Sequence, residues 1–184
     1  ELSAELNVAK ARIEELKDDI VRAERTYQSQ RQALLNEFGC KTEFGVVAYN
    51  HEEVKAAIEQ IADYSTKVVV KSQILAGGRG MGTFKSGFKG GVHVCKDGAE
   101  AAETAKKMLG ETLVTKQTGE KGMLVNRLFI TEAKENIKRE LYVAMTLDRK
   151  TASPMFIGSA EGGTSIEELA KERPDMIKKM VVNV

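Results

Sequence analysis

The stretch of sequence that decides the fold is KVVVKSQILAGGRGMGTFKSGFKGG, residues 67–91. Its first nine residues are rich in β-branched side chains and predict a strand over residues 67–75. The rest is a loop with seven glycines, and residues without a Cβ let backbone N–H groups approach an anion closely. Arg79, Lys85 and Lys89 add positive charge to this loop. The pattern predicts a site for an anionic ligand, with a polyphosphate as the leading candidate and a hairpin tip without a ligand as the alternative.

Lys71 lies inside the apolar part of the predicted strand, where an ammonium group needs an anionic partner. The loop that follows does not fit two common phosphate-binding motifs. It is not a Walker A sequence, because the glycine pair Gly82 and Gly87 is followed by Phe88 rather than by Lys. It is not a dinucleotide fingerprint either, because Thr83 stands where the third glycine would be.

The pattern on both sides of the loop mixes short apolar runs with amphipathic helices. Several neighbouring strands with hairpin connections, rather than strict alternation of strand and helix, predict an α+β fold. The predicted strands cover residues 45–49, 67–75, 92–95, 123–133, 140–149 and 155–159, and the predicted helices cover residues 51–64, 99–109 and 165–172.

The first 38 residues contain neither glycine nor proline, and their apolar residues are spaced alternately by four and three. With Leu6 at position a and Ala9 at position d, the register holds through four heptads, which is typical of a coiled coil. We therefore predict a coiled-coil helix over residues 1–38 that self-associates through residues 2–34. The alternative is an amphipathic helix lying on its own domain. The charges flanking the heptad core slightly favour an antiparallel or higher-order assembly over a parallel pair.

The composition excludes several classes of protein. The net charge of +1 gives no reason to expect nucleic acid as a partner, and no apolar run is long enough to span a membrane. Cys40 and Cys95 are too few for a disulfide framework and lack metal-ligand spacing, so we expect a reducing compartment and no metal site. The start at Glu1 shows no targeting signal. His93 and Cys95 share a strand face, but no third group completes a catalytic set, so we predict no catalytic residue.

Several segments resemble, in order and spacing, the β subunit of succinate–CoA ligase, also called succinyl-CoA synthetase, an ATP-grasp enzyme. The resemblance covers residues 34–184. It implies a truncated ATP-grasp-like nucleotide-binding region over residues 39–184, preceded by the coiled-coil helix. The segments that carry it are LLNEFG at 34–39, VKSQILAGGRG at 70–80, GFKGGVHV at 87–94, LVTKQTG at 113–119, RELY at 139–142, LDR at 147–149 and GSAEGG at 158–163.

The resemblance also implies a set of nucleotide-binding residues. The family assigns phosphate contact to the lysine that matches Lys71, and it places a Gly-Arg-Gly turn over the nucleotide. Three acids contact the nucleotide near its base and ribose. Of these, Glu132 and Glu140 flank a predicted turn, where a carboxylate can accept hydrogen bonds from ribose hydroxyls, although either one alone could be a solvated charge. The implied residues are Lys71, Gly78, Arg79, Gly80, Glu132, Glu135 and Glu140.

The function implied is formation of succinyl-CoA from succinate, CoA and a nucleoside triphosphate, through a phosphohistidine on an α subunit. The resemblance implies ATP or GTP as nucleotide and Mg²⁺ held by residues beyond this chain, so we expect the fragment alone to be inactive. It implies the mitochondrial matrix as location, with the cytoplasm as alternative. The competing hypothesis is a non-enzymatic coiled-coil assembly or fusion module that carries an inactive ligase fragment.

Overall fold

The computed structural model describes residues 10–12, 34–163 and 166–182. The chain divides into two compact units, of which the first ends at Ala133 and the second begins at Lys134. The coiled coil predicted over residues 1–38 lies almost wholly outside the described residues. Within this segment, the described residues 10–12 and 34–37 are helical. None of the described helices has the length and apolar character needed to cross a membrane.

The first unit is built on a four-stranded antiparallel sheet. Its strands lie in the order β1-β7-β2-β4, so that β2 is a central strand between β7 and β4. The strands are β1 (Gly45–Ala48), β2 (Val68–Ser72), β4 (Val92–Cys95) and β7 (Leu128–Glu132).

Two helices cover one face of this sheet, α1 (His51–Ala62) and α2 (Gly98–Met108). Each begins at a side-chain cap: Asn50 accepts a hydrogen bond from the Glu53 amide, and Asp97 accepts one from the Glu100 amide. Their buried residues recur at helical spacing and pack with alternate residues of the strands, forming one core. The core includes Val54, Ala57 and Ile61 of α1, Ala101, Ala105 and Met108 of α2, Val68 and Val70 of β2, and Leu128 and Ile130 of β7.

A small second sheet in the first unit has the order β3-β5-β6. Its strands are β3 (Thr83–Phe84), β5 (Thr112–Val114) and β6 (Met123–Leu124). Strand β3 lies within the glycine-rich stretch, and its Phe84 is 1% exposed. One part of the loop is therefore anchored in the core.

The second unit is a three-stranded antiparallel sheet with the order β10-β9-β8 and one helix, α3 (Ile166–Glu172). Its strands are β8 (Tyr142–Asp148), β9 (Ser153–Ser159) and β10 (Ile177–Val181). Helices and antiparallel strands in both units confirm the predicted α+β class.

Two predicted strands differ most from the structure. The strand predicted over residues 67–75 ends at Ser72, although the Gln73 amide still donates to the Arg127 carbonyl in register with β7. The strand predicted over residues 123–133 is divided into β6 and β7, because these pieces pair in different sheets. Between them the buried residue Val125 donates to the Glu111 carbonyl. The polar residues Asn126 and Arg127 lie between the two strands, but they were not used to predict a change of sheet.

Candidate functional site

The register of β2 decides which side chains leave the core. Val68 and Val70 belong to the helix-covered core, so Lys71, which alternates with them, projects from the opposite face of the sheet. Lys71 is paired with Phe129 of β7 on one side and with Val92 of β4 on the other. The register thus places one ammonium group on the sheet face opposite the helices, where its neighbours Val69 and Phe129 are 8% and 7% exposed.

Lys71 already has an anionic partner inside the first unit. Its Nζ lies 2.8 Å from Oε1 of Glu43 and 5.9 Å from the centroid of the Phe129 ring. The two charged side chains are 27% and 37% exposed, so the pair is partly open to solvent. The predicted need for an anion is therefore met by Glu43, which the sequence did not identify as a partner. A bound phosphate would have to share Lys71 with this carboxylate or displace it.

Glu132 is buried at the end of β7, with 8% of its surface exposed. Its Oε1 accepts a hydrogen bond of 2.9 Å from the Phe44 amide, and its own amide donates to the Phe44 carbonyl. Phe44 also stacks on Tyr64, with ring centroids 4.4 Å apart. Glu132 therefore fixes the segment that carries Glu43, the partner of Lys71.

The glycine-rich loop is tied together at its base. The Ser72 amide donates to the Gly91 carbonyl, and the Gly91 amide donates to the Arg79 carbonyl, each over 2.8 Å. Nη1 of Arg79 donates to the Ser72 carbonyl over 2.7 Å. The loop thus folds back so that Arg79 contacts the residue next to Lys71. In this arrangement the Arg79 guanidinium binds main chain of its own loop.

The glycines of the loop have different structural reasons. Gly91 is crowded, since a Cβ there would lie 2.6 Å from Leu113 Cδ2 and 2.9 Å from the Arg79 carbonyl oxygen. Gly78 has φ +69°, a conformation that favours glycine. Gly80 has neither reason, because no described atom lies within 4 Å of a Cβ built there. Open space at Gly78 and Gly80 leaves room for a ligand to approach the backbone.

Beyond this geometry, the chain has clear relatives. The sequence model of the ATP-grasp domain matches residues 25–184. The chain belongs to the ATP-grasp domain family. The match includes residues 25–38 of the predicted coiled-coil segment.

Several curated proteins are similar to this ATP-grasp chain. The ADP-forming succinate–CoA ligase subunit beta, mitochondrial, of Arabidopsis thaliana is 49% identical over 158 residues, which is 86% of this chain and 37% of the relative. The ADP-forming succinate–CoA ligase subunit beta of Opitutus terrae is 47% identical over 85% of this chain and 39% of its own length. The GDP-forming mitochondrial subunit beta of Dictyostelium discoideum is 42% identical over 86% of this chain and 37% of its own length. The chain thus spans under two-fifths of these relatives.

Within the ATP-grasp chain the predicted nucleotide-binding residues fall in both units. Lys71, the Gly78–Arg79–Gly80 turn and Glu132 lie in the first unit, whereas Glu135 and Glu140 lie in the second, where both are exposed. The Glu140 carbonyl accepts a hydrogen bond from the Gly162 amide over 3.0 Å. Glu140 therefore contacts the 158–163 segment of its own unit.

His93 and Cys95 share one strand face, as their spacing predicts, and they have separate structural partners. His93 lies 2.8 Å from the Gly90 carbonyl through Nε2, and its ring stacks on Phe88. Cys95 is 1% exposed, and this burial raises the pKa of its thiol. A thiol held in its neutral form is a poor nucleophile.

Two residues that contact the site were not predicted from the sequence. Glu43 was visible as an acid before β1, but only the folding of residues 43–45 against β7 brings it to Lys71. Gln117 lies in the LVTKQTG segment, and its Oε1 accepts a hydrogen bond of 2.7 Å from the Gly77 amide. The partners are 40 residues apart, and no local pattern could have paired them.

Proposed function

We propose that this chain is the nucleotide-binding portion of a succinate–CoA ligase β subunit. The reaction would form succinyl-CoA from succinate, CoA and a nucleoside triphosphate, with phosphate transferred through a histidine of an α subunit. Relatives that are 42–49% identical over most of this chain support this proposal. Since the chain spans 37–39% of these relatives, the full reaction would need the remainder of the polypeptide.

The observation that carries the proposal is the position of the glycine turn beside Lys71. The guanidinium of Arg79 donates to the carbonyl of Ser72, which directly follows Lys71 in β2. The uncrowded backbone of Gly78 and Gly80 lies on either side of Arg79, whose side chain is bonded to the residue that follows Lys71. A cation beside glycine backbone is an arrangement suited to a polyphosphate.

In this proposal Lys71 neutralises phosphate charge, and Gly78, Arg79 and Gly80 cover the nucleotide mainly through their backbone. Glu132 would accept from the nucleoside through the carboxylate that also accepts from Phe44. Glu135 and Glu140 would complete the nucleoside end. Both ADP-forming and GDP-forming enzymes occur among the relatives, so ATP and GTP are both candidates.

Magnesium is the ion that such a reaction would use with its nucleotide. Among residues 10–12, 34–163 and 166–182, no group of three or more His, Cys, Asp or Glu side chains lies close enough together to bind a metal ion. The described residues therefore hold no such cluster of acids, and a magnesium ion bound by one or two carboxylates would also use the nucleotide phosphates as ligands. We assign no step to the ion, and we propose that its ligands lie in the remainder of the polypeptide.

Location and partner follow from the same proposal. The names of the Arabidopsis and Dictyostelium relatives include "mitochondrial", whereas that of the Opitutus relative does not. We propose the mitochondrial matrix, with the cytoplasm as the alternative, and a ligase α subunit as the protein partner.

Isothermal titration of the 184-residue chain with ATP and with GTP, each with and without Mg²⁺, tests the proposal. We expect binding that weakens at least about tenfold in Lys71→Met, because a charge-assisted contact to phosphate is lost. Lys55→Met is the matched control, since Lys55 is an exposed residue of α1 on the helix-covered side. Absence of nucleotide binding by the wild-type chain, or equal affinity in Lys71→Met, would contradict the proposal.

The second candidate function is a coiled-coil assembly module, and the four uninterrupted heptads favour it. Sedimentation equilibrium of the full chain and of Leu6→Asp with Ile13→Asp distinguishes the two. Self-association lost in the double variant would support the assembly function. A wild-type chain that stays monomeric at all concentrations would rule it out.

A further inference from the structure

Gln117 is joined to the glycine-rich loop by a hydrogen bond that bridges distant parts of the first unit. Its Oε1 accepts from the Gly77 amide over 2.7 Å. A Cβ at Gly77 would lie 2.8 Å from Nε2 and 3.1 Å from Cδ of the same side chain. The amide group of Gln117 therefore lies against the backbone of Gly77, and a Cβ at this position would require the Gln117 side chain to shift.

The turn that carries Gln117 is fixed independently of the loop. The Thr115 amide donates to Oγ1 of Thr118 over 2.8 Å, and the Gly119 amide donates to the Thr115 carbonyl over 3.2 Å. Thr115 is 6% exposed and directly follows β5. Gln117 is thus presented from a closed turn attached to the small sheet.

The other end of the contact lies where the loop has little packing of its own. Leu75, two residues before Gly77, is 90% exposed. Gly77 directly precedes Gly78, whose positive φ starts the turn over Arg79 and Gly80. The bond from Gln117 therefore fixes the backbone at the entry of this turn.

From this geometry we infer that Gln117 is a positioning residue, which holds the turn at residues 78–80 in its nucleotide-covering conformation through Gly77. The inference rests on the proposed function, because it assigns Gln117 to the same nucleotide site. Gln117 acts through the main chain of the loop, so its effect exists before any nucleotide binds.

Hydrogen exchange of the free chain, followed by mass spectrometry, tests the first half of the inference. Gln117→Leu keeps the size of the side chain but removes the acceptor, and Gln117→Glu keeps an acceptor oxygen. We expect exchange in peptides covering residues 74–82 to rise about fivefold in Gln117→Leu and to stay near wild type in Gln117→Glu. The control is Lys121→Leu, at an exposed position in the same β5–β6 connection. Unchanged exchange in Gln117→Leu overturns the inference.

Titration of the same variants with ATP and with GTP tests the second half. We expect the Kd to rise about fivefold in Gln117→Leu, to recover in Gln117→Glu and to stay unchanged in Lys121→Leu, while the unfolding midpoint of all variants stays near wild type. Faster exchange with an unchanged Kd would overturn the positioning role. A wild-type chain that binds neither nucleotide overturns the proposed function and the positioning role with it, and the exchange data then show separately whether Gln117 holds the loop.

Discussion

Strand β7 of the first unit and strand β8 of the second unit differ sharply in burial. All five residues of β7 are buried, with helices on one side of the sheet. In β8 three alternate residues, Val143, Met145 and Leu147, are 62–72% exposed. Similar apolar content therefore produces a closed core only where another element covers the face of the sheet. The first unit therefore carries most of the stability that the described residues provide.

The largest expected effect contrasts two leucines, Leu128 of β7, which is fully buried, and Leu147 of β8, which is 62% exposed. Leu128→Ala should lower the free energy of unfolding by about 3 kcal/mol, because it removes buried methyl groups and leaves a cavity. Leu147→Ala should change it by less than about 0.5 kcal/mol. Urea denaturation measures both, with hydrogen exchange assigning each transition to a unit. Equal losses of unfolding free energy in the two variants would contradict the difference in burial between β7 and β8.

The next effect contrasts two glycines. Gly91→Ala should destabilise the first unit by about 2 kcal/mol, since its Cβ would collide with Leu113 and with the Arg79 carbonyl. Gly158→Ala in β9 should be neutral or stabilise the second unit by about 0.5 kcal/mol, because the nearest atom to its Cβ is 3.7 Å away. The same denaturation assay compares them. An unchanged free energy of unfolding in Gly91→Ala would contradict the close packing of Gly91 against Leu113 and Arg79.

A smaller effect of opposite sign contrasts two buried serines. Oγ of Ser72 is buried without a hydrogen-bond partner among the described residues, whereas Oγ of Ser159 accepts from the Glu161 amide over 3.1 Å. Ser72→Ala should be neutral or stabilise by up to about 1 kcal/mol, because an unpaired hydroxyl is removed. Ser159→Ala should destabilise by about 1 kcal/mol. Thermal denaturation gives the two signs, and the same sign in both would contradict the assignment.

The smallest effect concerns pH. Burial raises the pKa of Cys95, so the folded first unit holds the thiol proton more tightly than the unfolded chain. The corresponding stability is fully present below the ordinary pKa of the thiol and is lost as the pH rises towards the folded value. The free energy of unfolding of wild type and of Cys95→Ala, measured by urea denaturation at neutral and alkaline pH, gives this loss. The second unit contains no cysteine, so hydrogen exchange in its peptides should not differ between the two proteins.

Local patterns were sufficient for many elements of the first unit. The predicted helix over residues 51–64 begins where α1 begins, and the β-branched run Val68–Val70 located β2. The same patterns overextended β2 and missed the boundary between β6 and β7, because apolar runs do not record which sheet a residue joins. Short strands such as β3 and β5 are defined by pairing rather than by sequence.

The candidate site divides in the same way. Sequence patterns alone identified three features: a lysine in a strand, a glycine-rich loop with an arginine, and ordered segments shared with the ATP-grasp family. The partners became visible only in the folded chain: Glu43 for Lys71, the Ser72 carbonyl for Arg79, and Gln117 for Gly77. Composition and periodicity report only what each residue prefers locally. Hydrogen bonds and ion pairs between residues 28 or 40 positions apart depend on how the strands register and where the connections cross.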